Sequence, residues 1–530
     1  MRSVSRAFLL CASLITVLAQ AQVSPASDFN VRIGEPFPSI ESKDRHYFPF
    51  EENVIALKID GKHWHIQRFS TARLDQASEQ EYEDMPDNVV LEWIGKFNDR
   101  LYVLYSSEDK KTKQQRLYHR EIDPASGTFK GAGAPALTVP GRLRGETFTM
   151  LSGMTRLEQR FYVVLSPGRE KMMVRYEHDD TKEITAPKGN DLGVAVFGAD
   201  MVKEWEGELV FPADAGRVRG ENYAVDEKGQ VYLMGFHMLD PGDPNKVPTR
   251  ENVLGRFGTD GVKWTGFPEV PGIPTAAHML VFGRRDGGIG FAGFCKQQPD
   301  ALMKDALCML EVTSDGVVHP RIIPIPAGTI DLRVGVGEDE KLKKGFQFSG
   351  MADLLIQRVR LLPDGGYLVS GEKYYEASEL DYVSNSGGGL SDVRVYIDHY
   401  EEALLMTIRP DGVLDRVSVL PRVVGPGSAY ASANGTELYF YATDPKAVRM
   451  PLTTKARDWR DMRHPRLFAY SMDQSSGELK EHSIADIPNI NDVLFNDVEW
   501  GRVVNMGEGR LIIETGAGKN EVKLMEVSLK

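Results

Sequence analysis

Along most of this chain, short apolar runs follow tight polar turns in a recurring order. Asn98-Asp99 precedes RLYVLYS, Glu158-Gln159 precedes RFYVVLS, and Lys228-Gly229 precedes QVYLMG. Asp286-Gly287 precedes GIGFAGF, Asp364-Gly365 precedes GYLVSG, Asn434-Gly435 precedes TELYFYA, and Glu508-Gly509 precedes RLIIETG. Asp-Gly and Asn-Gly pairs supply the positive φ angles that two-residue hairpin turns require. The runs after them are rich in Tyr, Val, Leu and Phe, side chains that pack well on a pleated surface. The pattern predicts strands joined as hairpins. Long stretches of helical period are nearly absent.

A second hairpin follows most of these runs after a variable gap. It reads as LYHREIDPASGTFKG, VLGRFGTDGVKWTGF, CMLEVTSDGVVHPRI, LMTIRPDGVLDRVSV and LFAYSMDQSSGELKE, with a less regular copy in VRYEHDDTKEI and an N-terminal one in VIALKIDGKHWHIQRFS. Two hairpins make a four-stranded antiparallel sheet, and such sheets repeated around an axis form the blades of a β-propeller. The expected fold is therefore all-β, a β-propeller of four-stranded antiparallel blades over residues 51–530. Seven blades fit the spacing best, and six or eight remain open. The last stretch, with VEWGRVVN, RLIIETG and VKLMEVSL, lacks a fourth strand. N-terminal residues are expected to supply it, because closing the ring removes exposed strand edges.

The first residues have a different pattern. Arg2 and Arg6 precede an apolar run from Ala7 to Leu18, which ends in Ala19-Gln20-Ala21. That order is a secretory signal, too short to span a bilayer. Residues 1–21 are read as a signal peptide and 22–50 as an N-terminal extension, with a periplasmic or secreted mature protein. Cys11 lacks the small residues before it that a lipoprotein anchor needs. Loss of Arg2 and Arg6 takes the net charge from −13 to −15. So acidic a surface argues against nucleic acid as a partner, and no later segment is apolar enough to cross a membrane.

Between the hairpins of a unit the gaps are long: EDKKTKQQ after Ser107, a segment from His237, a cysteine loop, Glu372 to Ala403, and Thr443 to Arg466. In a propeller these connections leave on one face, and loops on a rigid scaffold carry binding chemistry. Two are chemically distinct. The first is acidic and tyrosine-rich, with Tyr374, Tyr375, Asp381, Tyr382, Tyr396 and Asp398, and a Ser384–Gly389 tip between extended arms. The second is basic, with Arg457, Trp459, Arg460 and Arg463. The loops either pair with each other or form a ligand site, in which aromatic faces stack on sugars and arginine forks hold carboxylates.

Cys295 and Cys308 flank the cysteine loop. In an oxidising compartment a disulfide there is the favoured reading, with two buried thiols as the alternative. His63 and His65 lie two apart on a strand and share a face, but no carboxylate or third histidine stands close by in sequence. The pair reads as an outer strand facing solvent, and neither metal nor cofactor is expected. The chain has no Gly-x-Ser-x-Gly, His-Glu-x-x-His, P-loop or EF-hand pattern. Thr259-Asp260-Gly261-Val262-Lys263-Trp264 only brushes against a sialidase Asp box.

LLMTIRPDGVLDRVSVLPR and LFAYSMDQSSGELKE resemble repeats in uncharacterised secreted β-propeller-like proteins of the Bacteroidetes. The resemblance covers the hairpin pattern and the last third of the chain, and implies a fold and an export route without an activity. The expected function is a monomeric, non-enzymatic binding or scaffold protein at the cell envelope, for a glycan, peptide or envelope protein. A glycan-directed hydrolase or lyase using acids and tyrosines of the loop face, and a structural part of an envelope assembly, are the alternatives.

Overall fold

The computed structural model describes residues 24–25, 29–42, 44–86, 88–149, 155–178, 192–209, 217–238, 250–266, 279–284, 286–297, 304–313, 317–333, 347–348, 351–362, 364–384, 390–420, 441–444, 447–455, 466–473, 479–483, 503–507, 510–518 and 520–529. The signal segment 1–21 and the turns Asn434-Gly435 and Glu508-Gly509 lie outside them. Every regular element among the described residues is a strand. The strands form eight sheets of at least four strands each, and a separate two-stranded hairpin, Glu146–Thr149 with Thr155–Gln159.

The main strands of each sheet run in chain order as an antiparallel meander, and Ser24–Pro25 adds in parallel beside Leu479–Ser483 of the seventh. The first sheet holds Asp44–Phe50, Asn53–Asp60, His63–Ser70 and Asp75–Tyr82. The second begins at Val90–Phe97, the third at Phe161–Leu165, the fourth at Arg217–Val225, the fifth at Leu280–Gly283, the sixth at Asp353–Leu361, the seventh at Tyr441–Asp444 and the eighth at Val503–Gly507. The opening strands of the third, fourth, fifth and sixth sheets touch in succession, and that of the eighth touches that of the first. They therefore converge on an axis, as the innermost strands of a β-propeller do.

Eight sheets of four or more strands stand among the described residues, where the hairpin spacing favoured seven units and left six or eight open, and two of the read patterns sit differently in the sheets. VIALKIDGKHWHIQRFS forms the second and third strands of the first sheet, not its last two. Its connection is a single tight turn at Gly61, φ 59°, so it looks like an outer hairpin. Glu158-Gln159, read as a turn, ends the strand Thr155–Gln159. The other turns behave as their chemistry requires: Asn98 and Asp99 have φ of 46° and 57°, and Gly229, Gly287 and Gly365 are also positive.

The described residues within 22–50, read as an extension ahead of the repeat, supply strands to the sheets. Phe29–Ile33 pairs with Glu521–Leu529 and completes the eighth sheet, Phe37–Pro38 pairs with the same strand, and Asp44–Phe50 opens the first. The two ends of the chain thus share one sheet.

Each of the first five sheets buries apolar residues on both faces against its neighbours. Ile55, Leu57, Trp64 and Ile66 of the first sheet meet Leu101, Val103 and Tyr105 of the second. Across that seam Trp64 stands edge-on to Tyr105 at 5.8 Å. Val54, Ala56 and Phe69, on the opposite face, meet Val504, Ile512 and Leu524 of the eighth. Comparable clusters join the second sheet to the third, the third to the fourth, the fourth to the fifth and the fifth to the sixth. Alternation explains this: successive residues of a strand point to opposite faces, so a strand covered on both sides reads as a continuous apolar run.

Candidate functional site

The most elaborated part of the described molecule is the central hairpin of the sixth sheet. Tyr367–Ser384 and Leu390–Ile408 are 18 and 19 residues long, far longer than the flanking Asp353–Leu361 and Leu414–Leu420. The flanking strands pair with it only as far as Tyr374 and Ala403. Beyond that point, among the described residues, only the two-residue strand Gln347–Phe348 joins it, at Ser378 and Ala377. The segment expected as a loop over Glu372–Ala403 is therefore a two-stranded ribbon. Ten residue steps beyond Tyr374 carry it about 33 Å at about 3.3 Å per residue.

A bulge marks where sheet becomes ribbon. Glu372 pairs with Ala403, but Tyr374 pairs with Tyr400, so Lys373 opposes both Glu401 and Glu402. Such an insertion bends the strand and increases its twist. Lys373 Nζ lies 3.3 Å from Glu402 Oε2 and donates to the Arg333 carbonyl at 3.4 Å. One residue earlier, the fully buried Glu372 accepts a 2.8 Å hydrogen bond from Gln357 Nε2 on the innermost strand. The ribbon is thus rooted in a buried polar base.

Register sorts the predicted residues into two groups. Directly opposed residues of an antiparallel pair share a face. Tyr374 opposes Tyr400, Glu376 opposes Asp398, Ser378 opposes Tyr396, and Tyr382 opposes Asp392. Tyr374, Tyr382, Tyr396 and Asp398 therefore belong to one face, together with Glu376, Asp392 and Tyr400. Tyr375 and Asp381 belong to the other, with Ile397, Val395 and Val393. Tyr375 is buried at the root. The predicted constellation is thus split by strand alternation, which a reading of the segment as a loop had no means to see. Arg457, Trp459, Arg460 and Arg463 lie outside the described residues. The basic segment is also shorter than expected, because Ala447–Lys455 is a strand paired with Arg466–Asp473.

Other buried ionisable groups sit toward the same ends of the strands. Lys58 Nζ and Glu514 Oε2 are 2.8 Å apart with no exposure, joining the first and eighth sheets. Glu92, on the innermost strand of the second sheet, accepts hydrogen bonds from Ser106 Oγ, from the Arg160 amide at 2.9 Å and from the Phe161 amide at 3.1 Å. Burial pushes its carboxyl up to about 7, against those hydrogen bonds. His46 is half-buried on the innermost strand of the first sheet, and desolvation lowers it to about 4. These residues gave no motif in the sequence; only their alternation with apolar neighbours hinted that they turn inward.

Cys295 and Cys308 are free, buried thiols, which corrects the expected disulfide. Cys295 pairs with Ala306 and Cys308 with Gly293, so the cysteines are diagonal neighbours. Diagonal Cα atoms lie about 7–8 Å apart, beyond the usual span of a disulfide, about 4.4–6.8 Å. The sulfurs still meet: the hydrogen bond between them, with burial, raises Cys308 and lowers Cys295. The neck of the loop is closed by Asp305 instead. Its carboxylate accepts from the Gln297 amide at 2.7 Å and Nε2 at 3.1 Å, and its own amide donates to the Cys295 carbonyl at 3.0 Å.

At the opposite, turn-bearing ends of the strands a cavity of about 200 Å³ opens between the fifth and sixth sheets. Arg284, Asp286, Glu311, Arg321 and Tyr367 line it. Its charges are matched internally, with Arg284 Nη1 and Arg321 Nε each 3.0 Å from the Glu311 carboxylate. It resembles a sealed seam more than a receptor.

No family model and no curated protein matches the chain. Among solved structures it is similar to polysaccharide lyase Uly1, at 11% identity and a TM-score of 0.34, over 83% of this chain and 89% of that one. It is similar to a PL25 ulvan lyase bound to -[GlcA(1-4)Rha3S]-, at 11% identity and 0.35, over 81% and 90%. A third is prolyl oligopeptidase B from Galerina marginata, at 8% and 0.33, where 84% of this chain covers 55% of that one. The chain thus spans about half the length of the oligopeptidase. Likeness at this level transfers neither residue roles nor activity.

Proposed function

We propose that this protein is an exported, non-enzymatic binding propeller, and that its ligand docks along the ribbon of the sixth sheet. The observation that carries the reading is the long central hairpin, whose register gives one face four tyrosines and three acids. A ribbon that leaves its sheet spends chain length on surface that the core does not need. Tyrosine faces stack on sugar rings or peptide side chains, and carboxylates accept hydrogen bonds from sugar hydroxyls or pair with basic groups. The ligand class is therefore a glycan or a peptide, and the basic segment with Arg457, Trp459, Arg460 and Arg463 is the candidate second contributor.

The test is a glycan and peptide binding screen on the protein and on a variant whose ribbon is cut back to a two-residue turn between Tyr375 and His399. Hits that depend on the ribbon support the reading, and hits that survive its removal overturn it. Turnover assays on the ribbon-dependent hits separate binding from catalysis, because consumption of any of them makes the protein an enzyme. Neutralising Arg457 and Arg460 together should weaken binding of an acidic ligand and flatten its salt dependence.

A further inference from the structure

The histidine pair of the first sheet has acidic partners that sequence proximity did not reveal. His63 and His65 lie on the third strand, His63–Ser70, and Glu79 and Glu81 on the fourth, Asp75–Tyr82. The register sets His65 opposite Glu81 and Gln67 opposite Glu79, while Trp64 opposite Tyr82 places His63 level with Glu83. All these odd-numbered residues share one face. The even-numbered Trp64 and Ile66 are buried against the second sheet.

The donor atoms converge. His63 Nδ1 is 2.7 Å from Glu81 Oε1 and 3.2 Å from Glu83 Oε1. His65 Nε2 is 4.0 Å from that same Glu81 oxygen. One ligand atom each from His63, Glu81 and Glu83 falls within a 4.8 Å group. In a tetrahedral site with bonds of about 2.1 Å, donors lie about 3.4 Å apart, so small side-chain rotations suffice. The two residues at either end of this scale differ in freedom. His63 is half-exposed, whereas His65 is only 16% exposed and its Nδ1 is buried without a hydrogen-bond partner. Lys58, directly opposite His65 on the next strand, has its charge committed to Glu514.

We propose that His63, His65, Glu81 and Glu83 form a binding site for a divalent transition-metal ion of the zinc type on the outer edge of the first sheet. Two imidazoles and carboxylates suit such an ion, whereas calcium and magnesium favour all-oxygen sites. Binding releases the proton that the Glu81 hydrogen bond helps His63 retain. The inference is independent of the ribbon and of any ligand there.

The test is calorimetric titration of chelator-stripped, full-length protein with ZnCl2 near neutral pH, with Co2+ absorption as a second readout of tetrahedral coordination. A single saturable equivalent is expected, weakened about tenfold or more by His63→Ala. The conservative Glu83→Gln, at an exposed position, should weaken it as well, and His319→Ala, on the fifth sheet, should leave it unchanged. Absence of saturable binding overturns the proposal, and so does binding that both His63→Ala and Glu83→Gln leave intact. Circular dichroism melting of each variant separates loss of the site from loss of the fold.

Discussion

The seam that joins the eighth sheet to the first and the ribbon that leaves the sixth both carry charge, and they use it in opposite ways. In the seam, Lys58 and Glu514 are withdrawn from water and matched at 2.8 Å, with Arg45 3.9 Å from the other Glu514 oxygen. In the ribbon, acids follow one another along two strands that extend past the sheet. A buried pair gains little net stability over an apolar contact, but losing one partner is costly because it strands the other. Beyond Tyr374 and Ala403 the ribbon has left the flanking strands, and removing charges there is expected to cost the fold little. The seam holds its charges matched where the first and eighth sheets meet, and on the proposed reading the ribbon's charges serve an outside ligand.

This contrast can be broken experimentally. The largest effect belongs to the seam: Lys58→Met should cost about 3–5 kcal/mol in urea unfolding by stranding Glu514. Adding Glu514→Leu should restore most of it. Recovery would identify the pair as a specificity device, and its absence would make it a true stabiliser. Next comes Glu92, whose carboxyl is raised from the ordinary glutamate range to about 7. The folded state therefore holds a proton that the unfolded chain releases, and Glu92 loses stability as pH rises from its unfolded value toward 7. Measured against the parent, Glu92→Gln should be near neutral at pH 4.5 and gain on it through pH 7, by up to about 1.4 kcal/mol per unit. His46, lowered to about 4 by burial, gives the opposite slope between 4 and its unfolded value in both proteins, so the comparison cancels it.

A smaller effect is expected at the cysteine loop. Asp305→Ala should cost about 1–2 kcal/mol, since it leaves the Gln297 amide without its acceptor. A larger loss would mean that the loop neck supports the fifth sheet more than its hydrogen bonds imply. The smallest effect on the fold belongs to the ribbon. Cutting it back to a turn between Tyr375 and His399 should change unfolding free energy by about 0.5 kcal/mol or less, while abolishing ligand binding. A large destabilisation would instead make the ribbon part of the core.

Much of the fold was legible because it rests on local chemistry. Asn98-Asp99, Lys228-Gly229 and Asp364-Gly365 announce hairpins by the backbone angles they permit, and the structure has those angles. The N-terminal hairpin was harder to place, because at Gly61 the turn between the second and third strands is as tight as an outer hairpin turn. Nothing in a turn tells whether it lies inside or at the edge of a sheet. The candidate site was legible in composition only. A segment dense in tyrosine and acid reads as a loop until pairing is known, and pairing then divides Tyr374, Tyr382, Tyr396 and Asp398 from Tyr375 and Asp381.

By itself, then, the sequence determined the strands, most of their turns and the lending of an N-terminal strand to the last sheet, because those follow from backbone preference and the alternation of apolar side chains. Only the tertiary structure decided which charged residues meet. Lys58 finds Glu514 across 456 positions of chain, and His63 finds Glu81 because two strands happen to be in register. Such encounters depend on distances in space that no local pattern encodes. For the same reason no local pattern showed that Cys295 and Cys308 stand as diagonal neighbours, each a free buried thiol.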